Sequence, residues 1–251
     1  MERKSKNQVS WLEFDVFKEC KIRHGTFLRH GGVSSAHLSS LNFGRVLGES
    51  EENVLKNISI AHELLGIPES YSGQQKHGKE IAEITRAFLE KREERACDAL
   101  MTNEPGVGLM IKHADCQAGI LYDPINNAVA CVHVGWRGSV LNLYHDTIQK
   151  MKSRYGTDPA DLLVGISPSL GPSHAEFRNY QVELPESFWA YQVKPLYFDF
   201  WEISRQQLLA CGVKDEHIEI ARMCTYASHE DCFSHRRNPA TGRHATLVAL
   251  V

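Results

Sequence analysis

The stretch IKHADCQAGILYDPINNAVACVHVGWRGS, residues 111–139, contains the strongest indication of the fold. Within it, two short apolar runs at 118–122 and 128–134 are separated by DPINN, whose residue types favour turns. A third apolar run covers 106–112. We therefore predict three strands here, of which the last two lie side by side in a sheet.

Helical periodicity occurs at three other places. Apolar residues spaced by three or four positions predict helices over 51–65 and 140–155, and Gly66 ends the first of them. A third helix is predicted over 200–211, with Gly212 as its left-handed cap.

The remaining apolar runs predict three more strands and, together with the helices, a fold class. These runs cover 162–166, 218–223 and 244–251. Because strands occur in clusters as well as between helices, we predict an α+β sandwich and not a doubly wound parallel sheet. No repeat or linker divides the sequence, so residues 1–251 are predicted to form one domain. The charged run 91–95 is predicted to be a solvated surface segment.

Composition and charge exclude several classes of protein. A net charge of −3 gives no general attraction to nucleic acid or to anionic membranes. No run approaches the roughly 20 apolar residues of a membrane span, and the N-terminus lacks the apolar segment of a signal peptide. The 7 scattered cysteines indicate reduced thiols in a cytoplasmic protein. Both a monomer and a small homo-oligomer are compatible with the sequence.

A cysteine and two histidines are candidates for a metal site. Thiolate and imidazole are ligands that zinc prefers, and a catalytic zinc keeps three protein ligands and one open position. Cys116 and His133 lie at the ends of neighbouring predicted strands, beside Asp115 and a glycine-rich break. His77 lies in a polar loop where a binding residue is accessible. Taken singly, a buried cysteine and a loop histidine are the simpler interpretations, and His113 is predicted to be a core residue.

Three arginines are candidates for an anion site. Arg137 lies in GWRG, where glycines allow close approach to a ligand and a helix N-terminus favours an anion. Its guanidinium is suited to phosphate, although a surface arginine in a tight turn explains the pattern equally well. Arg29 and Arg243 lie in two more loops that combine basic and hydroxyl residues.

Taken together, these segments resemble the bacterial laccase-domain proteins, a family named for polyphenol oxidase and later for purine nucleoside phosphorylase and adenosine deaminase activity. The resemblance extends over nearly the whole chain. It rests on the motifs RHGGVS (29–34), SLNFG (40–44), QKHG (75–78), DALMT (98–102), ADC (114–116), HVGWRG (133–138), GP (171–172), FSHRR (233–237) and TGR (241–243).

The resemblance implies a fold, a metal and a substrate class. The fold is an α/β/β/α sandwich with mixed sheets, related to deamidating toxins that use a Cys-His pair. One zinc is bound by His77, Cys116 and His133. The expected reactions are cleavage of adenosine, inosine, guanosine or methylthioadenosine by phosphate, and deamination of adenosine. Arg29, Arg137 and Arg243 are expected to hold phosphate or ribose.

The chain departs from the family pattern in three places. It has Ala118 where proline is usual and Val134 where alanine is usual, and it has AEF at 175–177 in place of Tyr-Glu-Val. None of these changes a metal ligand, and the 175–177 segment bears on the expected substrate preference.

Three other functions remain open at this level. The first is a copper-dependent polyphenol oxidase, but such enzymes hold several coppers with paired histidine motifs, and this sequence has no His-x-His. The second is a cysteine hydrolase with Cys116 as nucleophile and His133 as base. The third is a non-enzymatic binding protein, for which an open three-ligand metal site has no use.

Overall fold

The structure, a computed structural model, describes residues 1–46, 48–91 and 93–251. Within these residues the strands are β1 (Glu2–Lys6), β2 (Val9–Glu13), β3 (Ile22–Phe27), β4 (Glu69–Tyr71), β5 (Ile81–Glu83), β6 (Ala99–Thr102), β7 (Val107–His113), β8 (Gln117–Asp123), β9 (Ala128–Val134), β10 (Leu163–Ile166), β11 (Gln192–Lys194), β12 (Tyr197–Phe198), β13 (Ile218–Ile220) and β14 (His244–Leu250). The helices are α1 (Glu51–Leu65), α2 (Arg86–Lys91), α3 (Trp136–Val140), α4 (Leu143–Tyr155), α5 (Tyr180–Glu183) and α6 (Phe200–Ala210).

Two large mixed sheets form the centre of the described structure. The first has the strand order β1-β2-β3-β14-β7-β4, and the second has the order β13-β10-β8-β9-β6-β5. Most neighbours are antiparallel, whereas β4 with β7, β5 with β6 and β10 with β13 are parallel. The chain crosses from the first sheet to the second between β7 and β8, which is where Cys116 lies.

The two sheets pack face to face and carry helices on their outer faces. Between them lie buried side chains such as Ile111, Ile120 and Val248. Helices α4 and α6 cover the outer face of the second sheet. Helix α1 covers the outer face of the first sheet through Ala61 and Leu65. The layer order is therefore α/β/β/α, which confirms the expected fold class.

Most elements predicted from periodicity are present. Helix α1 has the predicted bounds, because the Ser50 hydroxyl accepts a hydrogen bond from the Asn53 amide at its start and Gly66 is left-handed at its end, with φ 62°. Strand β9 also has the predicted bounds, and β7, β8, β10, β14 and α6 differ from prediction by one residue at one or both ends. Gly212 is left-handed, with φ 98°, as predicted.

Two predictions about element bounds were wrong. The helix predicted over 140–155 begins only at Leu143, as α4, and residue 140 ends the separate helix α3, because Asn142 between them is left-handed with φ 53° and interrupts the hydrogen-bond pattern. The strand predicted over 218–223 ends at Ile220, and Arg222 beyond it is left-handed, with φ 47°.

The charged run 91–95 agrees with its prediction at the residues that the structure describes. Lys91 and residues 93–95 are exposed, and Arg92 lies outside the described residues. No helix in the described part of the chain has the length and apolar character needed to cross a membrane.

Candidate active site

Three ligand-type side chains from separate segments converge on one point. His77 is in the loop after β4, Cys116 lies just before β8, and His133 is near the end of β9. The three side chains can each offer a ligand atom, and these atoms lie within 4.8 Å of one another. Cys116 Sγ is 3.8 Å from His77 Nε2, and the two imidazole rings are 4.9 Å apart at an angle of 69°. Among the described residues, this is the one group of three or more potential metal ligands.

Strand pairing explains how Cys116 meets His133. Strands β8 and β9 are antiparallel, and Ala118 is opposite His133. The start of β8 therefore lies beside the end of β9, as the turn signal between the two apolar runs predicts. Asp115, which precedes the cysteine, is left-handed with φ 86°. Its carboxylate accepts hydrogen bonds from the Thr225 hydroxyl and the Arg236 amide, both at 2.6 Å, and these contacts stabilise the turn.

A buried carboxylate, Asp98, lies behind the two histidines. Its Oδ1 accepts a hydrogen bond from the His77 amide at 3.0 Å and is 2.8 Å from His133 Nδ1. Its Oδ2 accepts hydrogen bonds from the amides of Lys76 and Gly78 at 3.0 and 2.8 Å. Because His133 uses Nδ1 for Asp98, its Nε2 is the nitrogen available to a metal or to Cys116.

The three charged groups at the site shift one another's pKa values. Burial raises the pKa of Cys116, but the charge and hydrogen bonds of His133 and His77 outweigh it and lower the pKa to about 6. Burial lowers the pKa of His133, but Cys116 and Asp98 raise it to about 9. Burial likewise opposes ionisation of Asp98, yet hydrogen bonds from His133 and the 76–78 loop lower its pKa. Each charge in the chain of Cys116, His133 and Asp98 therefore favours the ionised form of its neighbour.

The absence of a side chain at Gly135 leaves room for the Cys116 thiol and the His77 ring. A Cβ atom at this position would lie 2.8 Å from Cys116 Sγ and 3.1 Å from His77 Cδ2. The sequence indicates that glycine here lets the backbone approach a ligand, and the structure shows that the backbone approaches the thiol and the His77 ring.

A cavity of about 350 Å³ opens beside His77 and Cys116. This volume is within the range of pockets that hold small molecules, about 300–1,000 Å³. One part of its lining is aromatic and another part is basic. The aromatic residues are Trp136, Phe177 and Phe200, and the basic residues are Arg137, His235 and Arg236. The cavity is suited to a ligand with a flat apolar part and an anionic or polar part.

The three candidate arginines do not meet in this cavity. Arg137 lines it, with its guanidinium over the Trp136 ring at 5.0 Å. The guanidinium of Arg29 donates hydrogen bonds to the carbonyls of Ser39 and His229. The Arg243 side chain donates to the carbonyls of Thr241 and Gly242 and lies outside the lining of this cavity.

Arg243 nevertheless lies near the site. Burial lowers its pKa, while the negative charges of Cys116 and Asp115 raise it. A role for Arg29 and Arg243 in binding phosphate or ribose therefore remains a prediction, and neither forms one group with Arg137.

Sequence reasoning missed several residues of the site. Asp98 appears only as the first letter of a motif, although a carboxylate directly before the fully buried strand β6 is itself a signal. Phe177 and Phe200 belong to an aromatic cluster of residues 175–203, which long-range packing brings to the site. His113 is buried and bonded through Nε2 to Thr246, so it is a core residue as predicted.

Comparison with known proteins assigns the family. Residues 23–251 match the family described as multi-copper polyphenol oxidoreductase laccase, and the chain belongs to that family. It is 34% identical over 233 residues to a purine nucleoside phosphorylase of Bacteroides thetaiotaomicron, with 86% of each chain covered. It is 29% identical over 235 residues to purine nucleoside phosphorylase YfiH of Escherichia coli strain K12, which covers 89% of this chain and 91% of that one.

Solved structures share the fold over the full length. The crystal structure of YlmD from Geobacillus stearothermophilus has a TM-score of 0.87 at 26% identity, with 98% of this chain and 97% of that chain covered. The crystal structure of the Bacillus licheniformis hypothetical protein YfiH also has a TM-score of 0.87, at 25% identity, with 99% of each chain covered.

Proposed function

We propose that this chain is a zinc-dependent purine nucleoside phosphorylase that also deaminates adenosine. The nucleosides would be adenosine, inosine, guanosine and methylthioadenosine, cleaved by phosphate to a free base and a pentose 1-phosphate. The names of relatives at 29% and 34% identity support the substrate class. The observation that carries the proposal is the His77–Cys116–His133 group, of which His77 and Cys116 line an aromatic and basic cavity.

Zinc fits the donor atoms of the site. A tetrahedral zinc with ligands at about 2.0–2.3 Å places its ligand atoms roughly 3.3–3.8 Å apart. Cys116 Sγ and His77 Nε2 are 3.8 Å apart, and His133 keeps Nε2 available. When bound, zinc would supply Lewis-acid catalysis at its open position.

Copper is the less favoured metal. A cysteine and two histidines also suit copper. An oxidase with several coppers, however, needs more than one group of ligands, and one group is found within residues 1–46, 48–91 and 93–251. Metal analysis of protein purified without added metal distinguishes the two: about one zinc per chain without copper supports this proposal.

The residues of the cavity suggest how a nucleoside would bind. The rings of Trp136, Phe177 and Phe200 would pack against the purine. Arg137 and Arg236 would hold phosphate and stabilise its charge as the glycosidic bond breaks. Binding of both substrates in one cavity would position phosphate against the anomeric carbon and make their reaction effectively unimolecular.

Product analysis tests the proposal. Metal-loaded protein is incubated with inosine or adenosine, with and without phosphate, and the products are separated by chromatography. We expect phosphate-dependent release of hypoxanthine from inosine, and both adenine and inosine from adenosine. Base release that does not depend on phosphate would indicate a hydrolase, and no consumption of any nucleoside would reject the proposal.

Alanine variants connect this activity to the site. Cys116→Ala, His77→Ala and His133→Ala should each lose most of the bound zinc and the activity, because each removes one of three ligands. Cys20→Ala is the matched control, since Cys20 is a partly buried thiol outside the cavity. A folded Cys116→Ala protein that retains full zinc would show that the ligand assignment is wrong.

A cysteine hydrolase is a second candidate, favoured by one observation. Cys116, His133 and Asp98 lie in the order nucleophile, base and orienting carboxylate. Activity that survives removal of the metal and is lost on thiol alkylation would support this candidate against the zinc enzyme.

We also propose a cytoplasmic location. All seven cysteines are free thiols, including the half-buried Cys20, Cys211 and Cys224. Free thiols are typical of a reducing compartment.

A further inference from the structure

Asp98 has a place in the site that its motif, DALMT, does not explain. The residue is 1% exposed, and both carboxylate oxygens accept hydrogen bonds. Three bonds come from consecutive amides, those of Lys76, His77 and Gly78. The fourth contact is with His133 Nδ1 at 2.8 Å. One carboxylate therefore contacts two of the three segments that provide ligands.

The hydrogen bonds from the three amides stabilise an unfavourable backbone conformation at His77. His77 is left-handed, with φ 57°, and lies exposed in a loop. A left-handed non-glycine residue persists only where its surroundings hold it. Three consecutive amides directed at one carboxylate hold this loop in the conformation that places the His77 ring beside Cys116.

The contact between Asp98 and His133 Nδ1 determines which nitrogen of His133 is free. A hydrogen bond between Nδ1 and a carboxylate places the proton on Nδ1 and leaves the lone pair of Nε2 for a metal. The Asp98 carbonyl also accepts a hydrogen bond from the His133 amide at 2.7 Å, so the side chain and the backbone of Asp98 both hold this residue.

We propose that Asp98 is the positioning residue of the metal site, and that it sets both histidine ligands at once. It holds the His77 loop through three amides and fixes the tautomer of His133 through Nδ1. This inference rests on the proposed zinc site. It adds that the site's affinity depends on a residue that itself binds no metal.

Asp123 provides a matched control. It is also fully buried, and its carboxylate also stabilises a turn, through the amides of Ile125 and Asn126 and the side chain of Asn126, all at 2.9 Å. It lies at the opposite end of β8 from Cys116. Asp123→Asn therefore weakens a buried turn of the same kind without touching the metal site.

The experiment compares zinc affinity, by competition with a chelator, in the wild-type protein, Asp98→Asn and Asp123→Asn, with thermal melting of each. We expect Asp98→Asn to lower zinc affinity by about 10–100-fold. Asp123→Asn should lower the melting temperature but keep wild-type affinity. Wild-type affinity in Asp98→Asn, or an equal loss in both variants, overturns the inference. A wild-type protein that binds no zinc instead rejects the proposed function itself.

A second measurement covers the possibility that Asp98→Asn does not fold. Nitrogen NMR of the histidines in zinc-loaded wild-type protein reports which nitrogen of His133 carries the proton. We expect the proton on Nδ1, hydrogen-bonded to Asp98. A proton on Nε2, with zinc on Nδ1, overturns the inference without any variant.

Discussion

At the scale of single residues, the site depends on the absence of a side chain at Gly135. Its backbone is close enough to the thiol and to the His77 ring that a methyl group would contact both. Gly135 has φ −80°, which any residue can adopt, so the requirement for glycine is spatial. A larger residue at position 135 should therefore affect metal binding more than it affects the stability of the fold.

Gly135→Ala is expected to weaken metal binding with little loss of stability. The new Cβ would have to displace Cys116 Sγ, from which it lies 2.8 Å, and a contact that short does not occur in proteins. Zinc affinity by chelator competition and urea unfolding of the metal-free protein measure the two effects separately.

Gly138→Ala is the control for this prediction. A Cβ at Gly138 meets its nearest atom, the His133 carbonyl oxygen, at 3.5 Å, which is ordinary contact. Gly135 is the N-cap of α3 and Gly138 lies within the same short helix, so both substitutions are made in the same local segment. Equal zinc affinity in the two variants would show that metal binding does not require glycine at position 135.

At the scale of elements, the site could be predicted where neighbours in sequence are neighbours in space. The two apolar runs and the turn between them predict the β8–β9 pair, which brings Cys116 close to His133. The side of the cavity formed by Phe177 and Phe200 could not be predicted in this way. Those residues reach the site through the packing of an irregular segment, which leaves no periodic pattern.

The local sequence pattern also could not show to which sheet each strand belongs. Strands β7 and β8 follow each other within four residues, yet they belong to different sheets. Strand β8 is buried throughout and β7 is buried at every residue except the half-buried Lys112, which indicates only that each strand is covered on both faces. The α/β/β/α layer order therefore came from the family resemblance and not from periodicity.

The break between α3 and α4 gives a prediction at this scale. Asn142→Ala should destabilise the protein by about 1 kcal/mol, because alanine is strained in a left-handed conformation. Asn142→Gly should be neutral or stabilising, since glycine adopts φ 53° freely. The side-chain oxygen of Asn142 is buried without a hydrogen-bond partner, so its loss removes no bond.

Urea unfolding of the two variants measures this difference. In a continuous helix the order would be the reverse, with alanine more stable than glycine by about 1 kcal/mol. If Asn142→Ala is the more stable variant, then residues 140–155 form one uninterrupted helix, as the apolar spacing predicts.

At the scale of the whole molecule, buried histidines connect stability to pH. His24 in β3 packs against Phe14 and Phe17, and burial lowers its pKa to about 4. Burial also lowers the pKa of His244 in β14 to about 4. The unfolded chain takes up these protons near pH 6.5, so it binds more protons than the folded state between about pH 6.5 and 4. Stability is full above this range and falls as the pH decreases through it.

His24→Gln should reduce this pH dependence. Each buried histidine contributes a loss on the order of 2 kcal/mol at about pH 5. The difference in unfolding free energy between about pH 7.5 and pH 5 should therefore be smaller in the variant by about that amount. Urea unfolding is measured on metal-free protein, so that release of metal does not contribute.

His145→Gln serves as the control for that measurement, since His145 is exposed on α4. It should leave the pH dependence of the wild-type protein unchanged. A His24→Gln protein with the wild-type pH dependence would mean that His24 takes up its proton in the folded state as readily as in the unfolded chain.

The central claim is that one metal at His77, Cys116 and His133 supports cleavage of purine nucleosides by phosphate. The most direct measurement is to titrate zinc into metal-free protein while following release of hypoxanthine from inosine in the presence of phosphate. We expect the rate to rise in proportion to added zinc and to level off at one equivalent per chain, and Cys116→Ala to stay inactive throughout. Full activity before any zinc is added, or a rate that does not respond to zinc, would contradict the claim.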